Sequence, residues 1–374
     1  TETTSLYQET RRNGLALGFS DNFLSVAKET ANENRTIQTD YVGSVFTAKD
    51  NMALTASRDV NIVGSELHAG GNLLLDAGRD INVLTGQGSN SSYSRQTETK
   101  TGIAISADSN TLSVFAGDDT QKDALTSNST TQTGSVLTAN NVQLNAGNDL
   151  LISGSDIAAI NDIRLSAVKD ISIVTAQELF NQQTEHSSIR DGLTVSANYN
   201  IGNTVDAISN LGQGGDAVSV ASSVMQAADT LNNAGPSAGA HLGQTTTTTT
   251  NTVQQGIAKG SSLTAGGNVT VNAGGDALFE GAQVNATGNI NVDAENISVI
   301  AAQNSSGSKH NTEYLQVGLS LNASTSNVSL TAGFSQSDSE LNNQNTDAMG
   351  SSLNAGGNVN LNARNDLAVI GSDI

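Results

Sequence analysis

Six aspartates occupy one position of a recurring block: Asp59, Asp80, Asp149, Asp170, Asp276 and Asp366, with Asn296 in that place in a further copy. A column of carboxylates is the pattern here that could do chemistry, because stacked oxygen donors suit a hard cation such as calcium. Each aspartate sits at a turn, however, as in Gly78–Asp80, where its carboxylate can accept nearby backbone N–H groups. That role explains the recurrence without a metal. The Gly-Gly-x-Gly-x-Asp nonapeptide of calcium-binding β-rolls is absent, and Gly274–Asp276 keeps only a fragment of it. A second column, Asn51, Asn72, Asn141, Asn268, Asn289 and Asn358 with Asp162 substituting once, reads in the same way, since side-chain amides can bond along a stack. Both columns are expected to be structural turn ladders.

Other chemistry is thinly supported. His68, His186, His241 and His310 lie far apart and form no zinc-type spacing. There is no Gly-x-Ser-x-Gly elbow and no phosphate-cradling loop. A polysaccharide lyase or hydrolase would concentrate its carboxylates in one cleft, whereas these acidic positions recur from copy to copy. No catalytic, metal or cofactor-binding residue is expected, and the reading is non-enzymatic.

The element that positions these residues is a block of about twenty-one residues, with copies starting at Ser44, Ser65, Ser135, Ser155, Ser261, Ala282 and Ser351. In the copy from Ser65 the apolar residues are Leu67, Ala69, Leu73, Leu75, Ala77, Ile81 and Val83. A spacing of two within each group is the period of a strand with one buried face. Gly70–Asn72 and Gly78–Asp80 supply turns between the groups. Three strands and three corners per block predict a triangular parallel β-helix, an all-β solenoid in which each block is one turn of a larger coil.

The copies come in pairs, over 44–85, 135–175, 261–301 and 351–374, separated by excursions over 1–43, 86–134, 176–260 and 302–350. The excursions resemble one another: a polar run, a glycine (Gly14, Gly102, Gly192, Gly318), then alternating apolar residues. In the last, Leu315–Asn322 and Val328–Phe334 are expected to form a hairpin. Val205–Leu231 carries apolar residues at helical spacing, so a short helical hairpin is expected there, with a polar loop as the alternative. All of 1–374 is read as one repeat segment. The chain closes on Gly371–Ile374, the opening of another block, which reads as a piece cut from a longer protein.

Composition agrees. Aromatic residues are 3% of the chain, tryptophan and cysteine are absent, and Pro236 is the single proline. Many small aliphatic side chains suit a narrow coil. The absence of cysteine excludes disulfide and thiolate chemistry and is consistent with export. A formal charge of −20 argues against a nucleic-acid partner, which would call for basic patches. No run of eighteen or more apolar residues could span a bilayer as a helix, and no signal peptide stands at Thr1.

The Ser-x-Leu-x-Ala-Gly-Gly-Asn-Val-x-Leu-x-Ala-Gly-x-Asp-Ile pattern resembles the haemagglutinin repeats of filamentous haemagglutinin-like exoproteins. The pairing of coils with excursions that begin near Thr97 and Glu98 is similar to the second repeat region of contact-dependent growth-inhibition proteins. The resemblance implies a right-handed β-helix in a secreted, outer-membrane-associated filament at the surface of a Gram-negative bacterium, exported by a two-partner outer-membrane transporter. It further implies a part in carrying a C-terminal toxin across the outer membrane of a target cell, through that membrane or a surface receptor. A filamentous adhesin for host attachment is the alternative.

Ten of the twelve aromatic residues fall in the excursions. Tyr93, Phe115, Phe180, Tyr199, Tyr314 and Phe334 are therefore the candidate interaction surface, on exposed hairpins that contact a membrane or partner. The competing expectation is that they cover the helix wall as a second apolar layer.

Overall fold

The computed structural model describes residues 1–20, 22–107, 111–198, 237–324 and 327–374. Three parallel sheets of seven strands each form the walls of a β-helix, and a fourth sheet of eight antiparallel strands stands beside them. No helix occurs among the described residues. The segment Val205–Leu231, expected to be a helical hairpin, lies outside them.

One coil shows how the block folds. Glu66–Ala69, Asn72–Ala77 and Ile81–Leu84 each contribute one strand to a different wall. Their alternation puts Leu67, Leu73, Leu75, Ile81 and Val83 inside and their neighbours outside. Neighbouring coils pair in parallel, residue against equivalent residue, as in Leu67 with Leu137 and Ile81 with Leu150. The result is columns of identical chemistry. Leu67, Leu137, Ile157, Leu263, Val284 and Leu353 form one such column and are fully buried. Phe279 is the one aromatic ring of this core, and Ala277 stands two residues before it where neighbouring coils carry Ile171 and Ile297. The larger Phe279 side chain offsets part of the volume lost at Ala277. No coil can close its backbone ladder alone, so stability belongs to the stack.

The corner at the end of each coil decides where the chain goes. Gly64, Gly154, Gly281 and Gly371 adopt left-handed φ values of 50 to 61° and turn the chain directly into the next coil. Where Thr85, Thr175 or Ala301 holds that position, the chain instead leaves the helix and returns 50, 86 or 50 residues later at Ser135, Ser261 or Ser351. The returning serine resumes the ladder as if nothing had intervened: Val136 pairs with Glu66, Ser262 with Asp156 and Ser352 with Gln283.

Among the described residues, each excursion contributes a pair of long antiparallel strands. They are Glu2–Ser20 with Phe23–Asp40, Gly86–Ala107 with Thr111–Thr133, Ala176–Asn198 with Ser237–Lys259, and Ala302–Ser324 with Asn327–Met349. We call these the first to fourth hairpins. The hairpin expected within residues 315–334 is present, but its strands run through the whole excursion. Successive hairpins also pair with one another, through Leu24 and Ile103, Val114 and Val195, and Leu242 and Leu319. At about 3.3 Å per residue, a 23-residue strand reaches roughly 75 Å from the corner.

This continuity explains why coils come in twos. Strands in a sheet are spaced by about 4.8 Å, so two stacked coils rise by the same roughly 9.6 Å as the two strands of one hairpin. With one coil per hairpin the strands would crowd, and with three they would part. A two-to-one ratio lets all four sheets grow at one pitch.

Candidate functional site

The turn ladders are continuous chains of hydrogen bonds. Asn51 Oδ1 accepts the Asn72 N–H at 2.7 Å, Asp162 Oδ1 that of Asn268 at 2.8 Å, and Asn268 Oδ1 that of Asn289 at 2.8 Å. Asn289 Oδ1 accepts from Asn358 at 2.7 Å, and the Asn141 amide donates to Asn72 Oδ1 at 2.8 Å. In the second column the carboxylates of Asp80, Asp149 and Asp170 accept the N–H groups of Asp149, Asp170 and Asp276 at 3.3, 3.2 and 2.8 Å. Asn296 bridges Asp276 to Asp366 at 2.6 and 3.2 Å. Asp59, which accepts weakly from Asp80 at 3.4 Å, also takes two hydrogen bonds from Arg79, and these hold its carboxyl below the ordinary range. Among the described residues, no group of His, Asp and Glu is arranged to hold a metal ion.

A third ladder runs at the first position of the block. The N–H of Ser65 donates to Ser135 Oγ, that of Ser135 to Ser155 Oγ, and that of Ser155 to Ser261 Oγ, at 3.2, 3.1 and 3.3 Å. Its polarity is opposite to that of the Asn and Asp columns. The Ser135, Ser261 and Ser351 hydroxyls in turn donate to Leu84, Val174 and Ile300 O at 2.7, 2.7 and 2.8 Å. Each therefore ties the return of a hairpin to the corner it left. The recurrence of serine at the start of every block but the one that opens on Ala282 was the available signal.

The hairpin sheet has two zones, divided by a row of glycines that crosses it. Gly18, Ser25, Gly102, Gly117, Gly192, Gly243, Gly318 and Gly333 stand in cross-strand register on its eight strands. A Cβ on Gly117 or Gly192 would lie 2.2 or 2.3 Å from a carbonyl oxygen of the facing strand, so no larger residue fits. The sequence comparison aligned Gly14 with this row. The structure instead pairs Gly14 with Lys28 and puts Gly18 there, just past a register shift between Leu15 and Gly18.

Beyond the glycines the sheet is amphipathic. One face carries the register row Leu24, Ile103, Ala116, Leu193, Leu242, Leu319 and Ala332, followed by Ile105, Val114, Val195, Ala240, Leu321 and Leu330. Leu112 and Ala197 on this face are buried, with Ile105 and Ala238 packed against them. Leu242, Leu319, Leu321, Val328 and Leu330 are exposed, Leu330 to 72%. The opposite face carries the buried Phe23, Ala104 and Phe115 cluster near the glycines and Ser106, Ser113, Ser196, Asn322 and Ser329 elsewhere.

On the coil side of the glycines, several strand-to-strand contacts are ionic. Glu98 receives Lys28 at 2.8 Å and Lys100 at 3.1 Å. Burial alone would raise the Glu98 carboxyl, but the two ammonium groups outweigh it and hold it below its ordinary value. Arg190 meets Asp119 at 3.3 Å and lies across the glycine row, 5.6 Å above the Phe115 ring.

The six aromatic candidates do not converge. Phe115 is 3% exposed and packs against Phe23 and Ala104, so it serves the sheet's own packing. Phe334 is 76% exposed at the edge strand. Tyr93, Phe180 and Tyr314 are half-buried at separate places on the sheet, and Tyr199 lies outside the described residues. The aligned aliphatic face, rather than the aromatics, is the contiguous apolar surface. Its signal was the alternation after each glycine, whose common register needs the strand pairing to be seen.

Among curated proteins, a tRNA nuclease CdiA of Burkholderia pseudomallei is 28% identical over 147 residues, which cover 39% of this chain and 10% of that protein. The tRNA nuclease CdiA-2 of Burkholderia pseudomallei strain 1026b is also 28% identical over 147 residues, covering 39% of this chain and 4% of its own length. Toxin CdiA of Yersinia pestis is 33% identical over 97 residues, 25% of this chain and 3% of that protein. The matched stretch is thus a small part of much longer proteins. No solved structure matches. The hemagglutinin repeat family matches residues 24–188, 116–235, 218–313 and 238–374, and the chain belongs to that family.

Proposed function

We propose that this chain is the non-enzymatic shaft and interaction region of a secreted bacterial surface exoprotein. In this reading it takes part in contact-dependent delivery of a C-terminal toxin across a target cell's outer membrane. Two-partner export and a membrane or receptor on the target belong to the same reading. Support comes from the repeat family, from relatives named as toxins, and from a solenoid whose carboxylates are engaged in turns. The observation that carries it is the exposed aliphatic face on the outer zone of the hairpins, at Leu242, Leu319, Leu321 and Leu330. Contiguous apolar surface of this kind on a water-facing sheet marks a contact site.

Flotation with outer-membrane vesicles containing lipopolysaccharide tests this. The chain is expected to float with the vesicles, and the combined variant Leu242→Gln, Leu319→Gln, Leu321→Gln and Leu330→Gln is expected to stay at the bottom of the gradient while keeping its strand spectrum. Equal flotation of both proteins, or of neither, would contradict the assignment of this face.

A further inference from the structure

We propose that a shallow basin on the coil side of the hairpin sheet binds an uncharged glycan. The basin holds about 460 Å3 and crosses four neighbouring strands of the third and fourth hairpins. That volume lies within the roughly 300–1,000 Å3 usual for small-ligand sites. It forms where Gly256 pairs with Ser305 and Gly307 with Gln254, so that two diagonal neighbours on the sheet lack side chains. A Cβ on Gly307 would meet nothing nearer than Asn343 O at 3.7 Å and Gln344 Cγ at 3.9 Å, so the space above it is open.

The lining selects the ligand class. Asn181, Gln254, Ser305, Gln344 and Thr346 contribute carboxamides and hydroxyls, and Leu179, 56% exposed, contributes an apolar patch. No charged side chain lines the basin, in a chain with a net charge of −20. Amides and hydroxyls both donate and accept hydrogen bonds, as the vicinal hydroxyls of a sugar do. The leucine fits the C–H face of a pyranose ring. The Asn181, Gln254 and Gln344 side chains make no hydrogen bond among the described residues, so their donors and acceptors are available. Elsewhere on the sheet the same residue types bond one another, as Ser91 does with Asn128 and Ser94 with Asn34, each at 2.7 Å. A phosphate, a sulfated glycan or a basic peptide would find no counter-charge here. The proposal is independent of whether the outer zone meets a membrane.

The test titrates the chain with cellotetraose, maltotetraose, chitotetraose and mannotriose by calorimetry and saturation-transfer NMR, with sialyllactose and a heparin tetrasaccharide as charged counterparts. At least one neutral oligosaccharide is expected to bind with a Kd of about 1 mM or tighter. Gly307→Leu fills the basin where space is open and is expected to weaken binding at least tenfold without changing the melting curve. Should that variant misfold, Asn181→Ala with Gln254→Ala removes the amides and leaves the backbone untouched. Binding by none of the four neutral sugars, stronger binding of a charged one, or binding unaffected by the substitutions would overturn the proposal.

Discussion

At the residue scale, the interior glycines of the row that crosses the hairpin sheet exclude a side chain. Gly192 has φ 157° and its Cβ would lie 2.3 Å from Ala116 O, whereas Gly333, at the sheet edge, would meet nothing within 4 Å. Gly192→Val is therefore expected to cost about 1–3 kcal/mol from backbone strain alone, with the steric conflict added. Gly333→Ala is expected to fall within about 0.5 kcal/mol of the parent, as exposed substitutions do. Urea denaturation checks both, and hydrogen exchange should place the loosening from Gly192→Val in the outer zone of the hairpins. Equal effects of the two would mean that the row is incidental. The ladder residues were legible without a structure, because a turn that needs a side-chain acceptor at every coil repeats that acceptor. The glycine row was only half legible. Gly102, Gly192 and Gly318 recur after their polar runs, but Gly18 shares their row only through a bulge that no spacing reveals.

At the element scale, the second hairpin is joined to the first by the Lys28, Glu98 and Lys100 cluster as well as by its backbone ladder. The folded Glu98 carboxyl titrates below its ordinary value, so the cluster's contribution is fully present above the unfolded glutamate range of about 4.3. It is lost as the pH falls through the lowered folded value. Wild-type protein should therefore lose more stability between pH 6 and pH 3 than Glu98→Gln does, measured as the difference in urea midpoints (pH range about that of carboxylate titration). Parallel pH curves for the two proteins would contradict this. The coils themselves were readable because a period of two with three corners admits few folds. The full reach of the hairpins was not, since polar runs such as Asn304–Asn311 hold no alternation of apolar and polar residues, although the Thr245–Thr250 run does read as an extended return. They extend as strands because neighbours on both sides complete their backbone hydrogen bonds, as Thr247 does between Ser188 and Tyr314.

At the scale of the whole molecule, the equal rise of two coils and one hairpin fixes what can be removed. Deleting residues 86–175 takes out one hairpin with its two coils, joins Thr85 to Ala176, and leaves the third hairpin to pair with the first. That variant is expected to unfold cooperatively, with a urea midpoint near the parent's. Deleting residues 65–85 removes one coil and sets the first and second hairpins one strand spacing out of step. Its hairpins are expected to lose protection from hydrogen exchange while the remaining coils keep theirs. Paired coils were visible in the sequence, but the reason for pairing was not, because it depends on a sheet spacing shared by strands far apart in the chain.

The central claim is that hairpins from separate modules form one sheet in a single register, and the absence of cysteine makes it directly testable. Thr126 of the second hairpin faces Gln183 of the third. Thr126→Cys with Gln183→Cys should form an intramolecular disulfide readily under mild oxidation. Thr126→Cys with Gln177→Cys, several residues out of register, should not. Failure of the first pair to cross-link, or equal cross-linking of both, would contradict the continuous sheet and, with it, the aligned apolar face on which the proposed function rests.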